Sequence, residues 1–237
     1  MIQESSRKES IASDKGSVLS FEGLSQGAAH SLVGKLQQEC FPDLFGPSGH
    51  FPGYQVYEGM GAFAVSAPNS LFSENLPLIT PAMVTNLQRG ATLLSVGAGP
   101  AYGEQLLVRA LGVSNASVHL TDITSKPMPE SFTTHEFDMY APWPNLGEKY
   151  DYIIFRNSTF LNGEPDVLRQ AGELSHLIAS SLNTLAAEGQ VRMNVFVSEE
   201  TIYRAKKMLK TSQNEIDFSV LPWSGGDKAI VVTNAAK

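Results

Sequence analysis

Residues 93–107, LLSVGAGPAYGEQLL, pass from an apolar run through Gly97, Gly99 and Gly103 into a helical pattern. Glycines at such a turn let a ligand approach backbone that a Cβ would screen. The helix N-terminus behind them offers free N–H groups to an anionic or polar group. Asp122, in VHLTDI, follows 23 positions after Gly99. A carboxylate at that strand end can accept hydrogen bonds from both hydroxyls of a ribose. Asp138, in EFDMYAPWP, ends the strand after that, where it could meet an adenine amino group with Met139 flanking the ring. YDYIIFRNS then delivers Arg156, Asn157 and Ser158 to a fourth strand end. Each feature also has a plainer reading: tight packing for the glycines, turn formation for the aspartates, loop polarity for the last three.

The chain around these residues must supply strands that stop together on one edge. From Thr92 onward, apolar strand patterns alternate with helical ones: TLLSV (92–96), a helix near 103–111, SVHLT (117–121), TTHEF (133–137), YDYIIF (150–155), a long helix over 166–187 closed by Gly189, and QVRMNVFV (190–197). That alternation predicts a parallel sheet with crossover helices. Ser198 with Glu199 and Glu200 starts one more helix. DFSVLPW and KAIVVTN then follow with no room for a crossover, so they must pair antiparallel. Upstream, Ser25 caps a helix with Leu32, Val33 and Leu36 on its apolar face. CFPDLFGPSGHFPG (40–53) is a loop, YQVYEGMGAFAVSA (54–67) holds two short strands, and Thr80, Pro81 and Gly90 punctuate a further helix. The organisation is a polar tail over 1–17, a cap or lid segment over 18–90 and an α/β domain over 91–237.

Composition narrows the partners. The 237 residues carry a net charge of −7, which argues against a nucleic-acid surface. The densest basic stretch, RAKKMLK (204–210), reads as the solvated face of a helix end. A single cysteine, Cys40, permits no disulfide within the chain and reads as a buried filler. No run is long and apolar enough for a membrane span, and the N-terminus has no apolar core of the signal-peptide kind, so a cytoplasmic protein is expected. The five histidines show no paired metal-ligand spacing, His119 and His135 fall inside strands, and no G-x-S-x-G elbow exists. No metal is expected.

Taken together, the glycine turn, the acids after strands two and three, YDYIIF and the closing hairpin resemble the class I S-adenosylmethionine-dependent methyltransferases over roughly residues 80–235. The resemblance implies an α/β, Rossmann-like, doubly wound and mostly parallel seven-stranded sheet with a C-terminal antiparallel hairpin. It implies S-adenosylmethionine as cofactor, with Gly97, Ala98 and Gly99 under its methionine and ribose. Asp122 with Ile123 would hold the ribose, and Asp138 with Met139 the adenine. Arg156 and Asn157 would line the rim between sulfonium and substrate, and Tyr57 would face the substrate from the cap. Three positions depart from the family pattern. Ser95 stands where an acid is usual, Ala101 replaces the third glycine, and ITSKPMPESF leaves little room for a crossover helix. Unless a neighbouring acid such as Glu104 or Glu58 replaces the carboxylate missing at Ser95, cofactor binding should be poor.

Two other classes stay open at this stage. GAGPAYG also fits a dinucleotide turn, Asp122 could serve a nicotinamide cofactor's ribose, and Tyr203 with Lys207 form a Tyr-x-x-x-Lys pair. Against an NAD(P)-dependent oxidoreductase, about 90 residues precede the turn, and in the helix before the hairpin a packed Tyr203 and a solvated Lys207 suffice. The other class is a non-catalytic binding protein on the same frame, since methyl transfer needs little beyond positioning and exclusion of water. The aromatic-rich segment 18–90, with Phe45, Phe51, Tyr54, Tyr57, Phe63 and Phe72, suits either a lid over a small-molecule acceptor or a packed cap. Trp143 and Trp223 stand beside strand ends where either could wall a pocket.

Overall fold

The computed structural model of the chain describes residues 19–45, 54–57, 61–64, 68–73, 77–125, 127–155, 166–210, 216–222 and 227–234. Helix α1 (Gln26–Cys40) begins where Ser25 accepts the Ala28 N–H at 3.2 Å, the capping bond its sequence predicts. Strands β1 (Tyr54–Tyr57) and β2 (Gly61–Ala64) pair antiparallel by themselves. Helix α2 (Pro81–Gln88) opens with Pro81 in its first turn, behind a Thr80 hydroxyl that accepts from Met83 N–H.

The main sheet follows: β3 (Leu93–Val96), α3 (Tyr102–Arg109), β4 (Val118–Asp122), β5 (Thr133–Glu136), β6 (Tyr150–Phe155), α4 (Val167–Thr184), β7 (Leu185–Phe196), α5 (Glu199–Lys210), β8 (Ile216–Pro222) and β9 (Asp227–Asn234). Its order is β5-β4-β3-β6-β7-β9-β8. The first five strands run parallel, and β9 enters antiparallel to both β7 and β8. Strand order reverses between β3 and β6, as in the doubly wound sheet the sequence predicts.

Side-chain alternation divides the core into two layers. Leu93, Val118, Leu120 and Ile154 face the layer built with α1, α2, α3 and the cap. Leu94, Val96, Ile153, Phe155, Val191 and Met193 face the layer beneath α4 and α5. Phe45 and Phe72 are buried in the first layer, with the Phe72 ring 6.2 Å from Phe21, so these two aromatics are core. Arg192, on β7 and only 8% exposed, pins the cap to the sheet by donating Nε and Nη2 to the Pro77 carbonyl at 3.0 and 2.8 Å.

Two features differ from the sequence expectation. Helix α4 stops at Thr184 and not at 187, because Leu185 pairs with Tyr150 and begins β7. Gly189 therefore lies inside a strand, where a Cβ would come within 2.7 Å of Leu185 Cγ and 3.0 Å of the Asp151 carbonyl. The connection 137–149 between β5 and β6 has no helix, and neither do the described residues of 123–132 between β4 and β5. The edge strand β5 is thus held without a crossover helix of its own.

A polar cluster secures that edge instead. His119 Nδ1 on β4 lies 2.9 Å from the Tyr150 hydroxyl, 3.2 Å from Glu148 Oε1 and 3.3 Å from His135 Nε2 on β5. The two imidazoles stack with centroids 5.6 Å apart. The sequence expectation of satisfied sheet histidines holds. Burial first, and then the neighbouring His119, push the His135 pKa below its ordinary 6.5, with Glu148 opposing weakly. Burial and Glu148 likewise raise the Tyr150 phenol. Below pH 6.5 the unfolded chain takes up a proton at residue 135 that the folded chain refuses. This contribution to stability is therefore complete above 6.5 and is lost as pH falls through the lowered folded value. The urea midpoint should drop between pH 7.5 and 5.5 by more in the wild type than in His135→Gln. Equal drops would show that the pair does not tie β5 down.

Candidate functional site

Parallel strands reversing order between β3 and β6, with an antiparallel β9 between β7 and β8, make the doubly wound, mostly parallel seven-stranded sheet that the sequence resemblance implies, and in such sheets ligands sit beyond the carboxyl ends of the strands at the reversal. Here the ends of β3, β4 and β5 surround a cavity of about 220 Å³. Val96, Thr121 and Phe137 line it from the α4 side of the sheet. Gly97, Asp122, Ile123 and the turn Asp138–Tyr140 complete the wall. Five predicted residues, Gly97, Asp122, Ile123, Asp138 and Met139, are thereby brought together.

The glycine turn is built by backbone bonding. Gly97 and Gly99 have φ of 70° and 52°, a region that side chains other than glycine's rarely enter. Gly97 and Ala98 both donate N–H to the Thr121 carbonyl, at 2.9 and 3.0 Å. Gly99 N–H donates to Asp122 Oδ2 at 2.8 Å, and Ile123 N–H to Oδ1 at 2.7 Å. One carboxylate thus holds the turn and its own strand end, with each oxygen retaining acceptor capacity. Ala98 and Gly99 shape the cavity and do not line it. Gly103 serves another purpose: a Cβ there would come within 2.9 Å of Leu71 Cγ, so its absence lets α3 pack on the cap. Ala101 also has positive φ, at 52°, and caps α3 without a side-chain bond.

An acid does stand beside Ser95. Glu104, fully buried in the first turn of α3, accepts a hydrogen bond from Ser95 Oγ at 2.7 Å. A carboxylate in a first turn also complements the helix dipole. The carboxylate beside Ser95 thus comes from the helix and not from the strand, and it is not among the residues that line the cavity. Glu58 lies outside the described residues.

Asp138 is exposed, and its Oδ1 accepts the Tyr140 N–H at 2.9 Å, so it also forms the turn that presents Met139. Ile123 is 66% exposed on the rim, an apolar surface of the kind a planar ring covers. Trp143 does not wall this cavity. Its indole N–H donates to the Met139 carbonyl at 2.9 Å, and its ring leans on Phe137 and Phe155 at 5.3 and 6.1 Å. Arg156, Asn157, Ser158 and Trp223 lie outside the described residues, as does the side chain of Tyr57 at the end of β1. Val96, Thr121, Phe137 and Tyr140 line the cavity without having been anticipated, and each adjoins a predicted residue in the chain.

Other candidate chemistry is dispersed. Tyr203 is 67% exposed on α5, not packed as expected, and lies apart from the cavity lining. His176 is half-buried, with Nε2 3.1 Å from the Ala141 carbonyl, rather than solvated. No His, Cys, Asp and Glu group among the described residues could hold a metal ion. No helix among them is long and apolar enough to cross a membrane.

The chain matches no family model and no curated protein. Among solved structures it is similar to a TehB-like SAM-dependent methyltransferase from Corynebacterium glutamicum, at 16% identity over 61% of this chain and 80% of that one, with a TM-score of 0.44. It is similar also to SAM-bound CalS10, an amino pentose methyltransferase from Micromonospora echinaspora, at 12% identity over 65% and 88%, TM-score 0.44. Human N-acetylserotonin methyltransferase in complex with SAM aligns at 13% identity over 71% and 54%, TM-score 0.45. The fold assignment rests on the strand order and pairing given above.

Removing the Ser95 hydroxyl takes a hydrogen bond from a buried carboxylate, so Ser95→Ala should cost about 1–3 kcal/mol. Urea unfolding reads this as a lower midpoint at unchanged slope. A midpoint equal to wild type would mean that Glu104 is held without Ser95.

Proposed function

We propose that this chain binds S-adenosylmethionine and transfers its methyl group to a small-molecule acceptor. The observation that carries the reading is Asp122: a carboxylate locked by two backbone N–H groups at the wall of a strand-end cavity, with acceptor capacity left for a ribose diol. The residues present fit the cofactor's nucleoside half. Ile123 and Met139 offer apolar surface to a ring, and Asp138 keeps one carboxylate oxygen outside its turn bond. At about 220 Å³ the cavity is smaller than the ~300–1,000 Å³ of whole-ligand pockets, which suits half of a long ligand.

When bound, S-adenosylmethionine supplies a methyl group already activated on a sulfonium. The protein's task is then to hold the two reactants in line and keep water away. Asp122 and the Gly97–Gly99 turn fix one end of that line. Asn157 and Tyr57 are the proposed acceptor side, and Arg156 is proposed to belong to the cofactor's side of the rim. A proton acceptor is required only if the acceptor's nucleophile carries a proton. The net charge of −7 disfavours a nucleic-acid acceptor.

Calorimetric titration with S-adenosylmethionine, S-adenosylhomocysteine, NADH and NADPH separates the classes. Micromolar binding of the two adenosyl ligands alone is expected. Asp122→Ala should weaken it well over tenfold, since charge-assisted contacts contribute about 1.5–3 kcal/mol and the glycine turn loses its brace. Binding of a reduced nicotinamide alone, or unchanged affinity in the variant, contradicts the reading. Adenosyl binding with no turnover across an acceptor screen would favour a binding protein on this frame.

A further inference from the structure

The cavity wall contains a hydroxyl that no described residue bonds. Thr121 is 1% exposed, lines the cavity, and its Oγ1 is buried without a hydrogen-bond partner among the described residues. Its backbone cannot shift to find one. The Thr121 carbonyl accepts from Gly97 and Ala98, and the strand is registered against Val96 of β3 and His135 of β5. The Val96 side chain has no polar atom to offer, and His135 turns its Nε2 to His119. The only internal freedom left is rotation about χ1, which moves Oγ1 among three staggered positions.

Buried polar atoms in folded proteins are nearly always bonded, and one that is not asks for an explanation. Valine has the same shape and β-branching and would leave nothing unsatisfied, so packing does not call for threonine here. No described residue supplies the partner, and the cavity that Thr121 lines is where one from outside the chain can enter.

We propose that Thr121 reads the ring of the bound nucleoside: its hydroxyl turns to a ring nitrogen of the adenine when the cavity is filled. This rests on the cofactor reading above and adds a contact which that reading does not require. Asp122 would hold the sugar from one face of β4, while Thr121, one residue earlier and on the opposite face by strand alternation, would sense the base. A hydroxyl both donates and accepts, so it can meet a bare ring nitrogen, but not a C–H in the same place.

The test is a cycle of variant against ligand. Wild type and Thr121→Val are titrated with S-adenosylhomocysteine and with its 1-deaza, 3-deaza and 7-deaza analogues, each replacing one ring nitrogen by C–H. Thermal unfolding of both proteins is followed without ligand. The expected result has two opposite signs. Thr121→Val unfolds at the same temperature as wild type or higher, yet binds S-adenosylhomocysteine about tenfold more weakly, the effect of one lost hydrogen bond at a buried site. One deaza analogue should carry a similar penalty in wild type and none in Thr121→Val. A less stable Thr121→Val would mean that the hydroxyl is satisfied within the free protein, and overturns the proposal. So would deaza penalties that are the same in both proteins. Wild-type binding with no change in Thr121→Val sinks this contact alone; wild type that binds none of the four sinks the cofactor reading and this contact with it.

Discussion

A carboxylate that accepts two backbone N–H groups fixes two pieces of chain at once, and Asp122 does this where the structure can least tolerate slack. Its Oδ2 holds Gly99 and its Oδ1 holds Ile123, so the turn leaving β3 and the chain leaving β4 are clamped to one side chain. Backbone N–H groups at a turn would otherwise have to be satisfied by water or by the next helix. The same clamp brings the Thr121 carbonyl to Gly97 and Ala98. The wall of the strand-end cavity is therefore ordered by the fold itself, and the entropy of ordering it is lost in folding.

The two sides of the sheet are built differently around this clamp. One is closed by α1, α2, α3 and a cap whose Leu71 fits the space left by Gly103. The other is covered by α4 and α5 over β6 and β7, but by irregular chain over β4 and β5. Along that irregular segment, Phe137 to Tyr140 face the strand-end cavity, while Trp143 to Lys149 face a separate cleft against α4. Trp143 joins the two through its bond to the Met139 carbonyl. A helix would have given this stretch its own hydrogen bonds. Without one, it depends on aromatic contacts and on the cluster of His119, His135, Glu148 and Tyr150 beneath it.

What could be read from the sequence follows from how local each cause is. LLSV and YDYIIF are legible as strands because central parallel strands are apolar on both faces. Thr80–Pro81 and Ser25 are legible because caps act within one turn. The end of α4 was misplaced because LAAEG suits a helix, and only pairing of Leu185 with Tyr150, 35 positions away, makes it strand. Gly97, Asp122 and Asp138 could be placed at a common edge by spacing alone. That Asp122 braces the turn, that Glu104 meets Ser95 and that Thr121 lacks a partner among the described residues depend on distances between elements, which no local pattern records. His119 and His135 were recognisable as sheet histidines, whereas Tyr150 reaches them across the intervening β3.

The place of β9 bears on how the protein is made. It lies between β7 and β8, paired over seven residues with each, although it follows both in the chain. A nascent chain on the ribosome can dock β3 to β7 in order of emergence, but β7 keeps an open edge until residue 234 has been synthesised. Open edges of long apolar strands are templates for pairing with other chains. The slowest-arriving strand is thus the one that protects the growing sheet, and any pause in translation before it prolongs the interval in which two copies could join edge to edge.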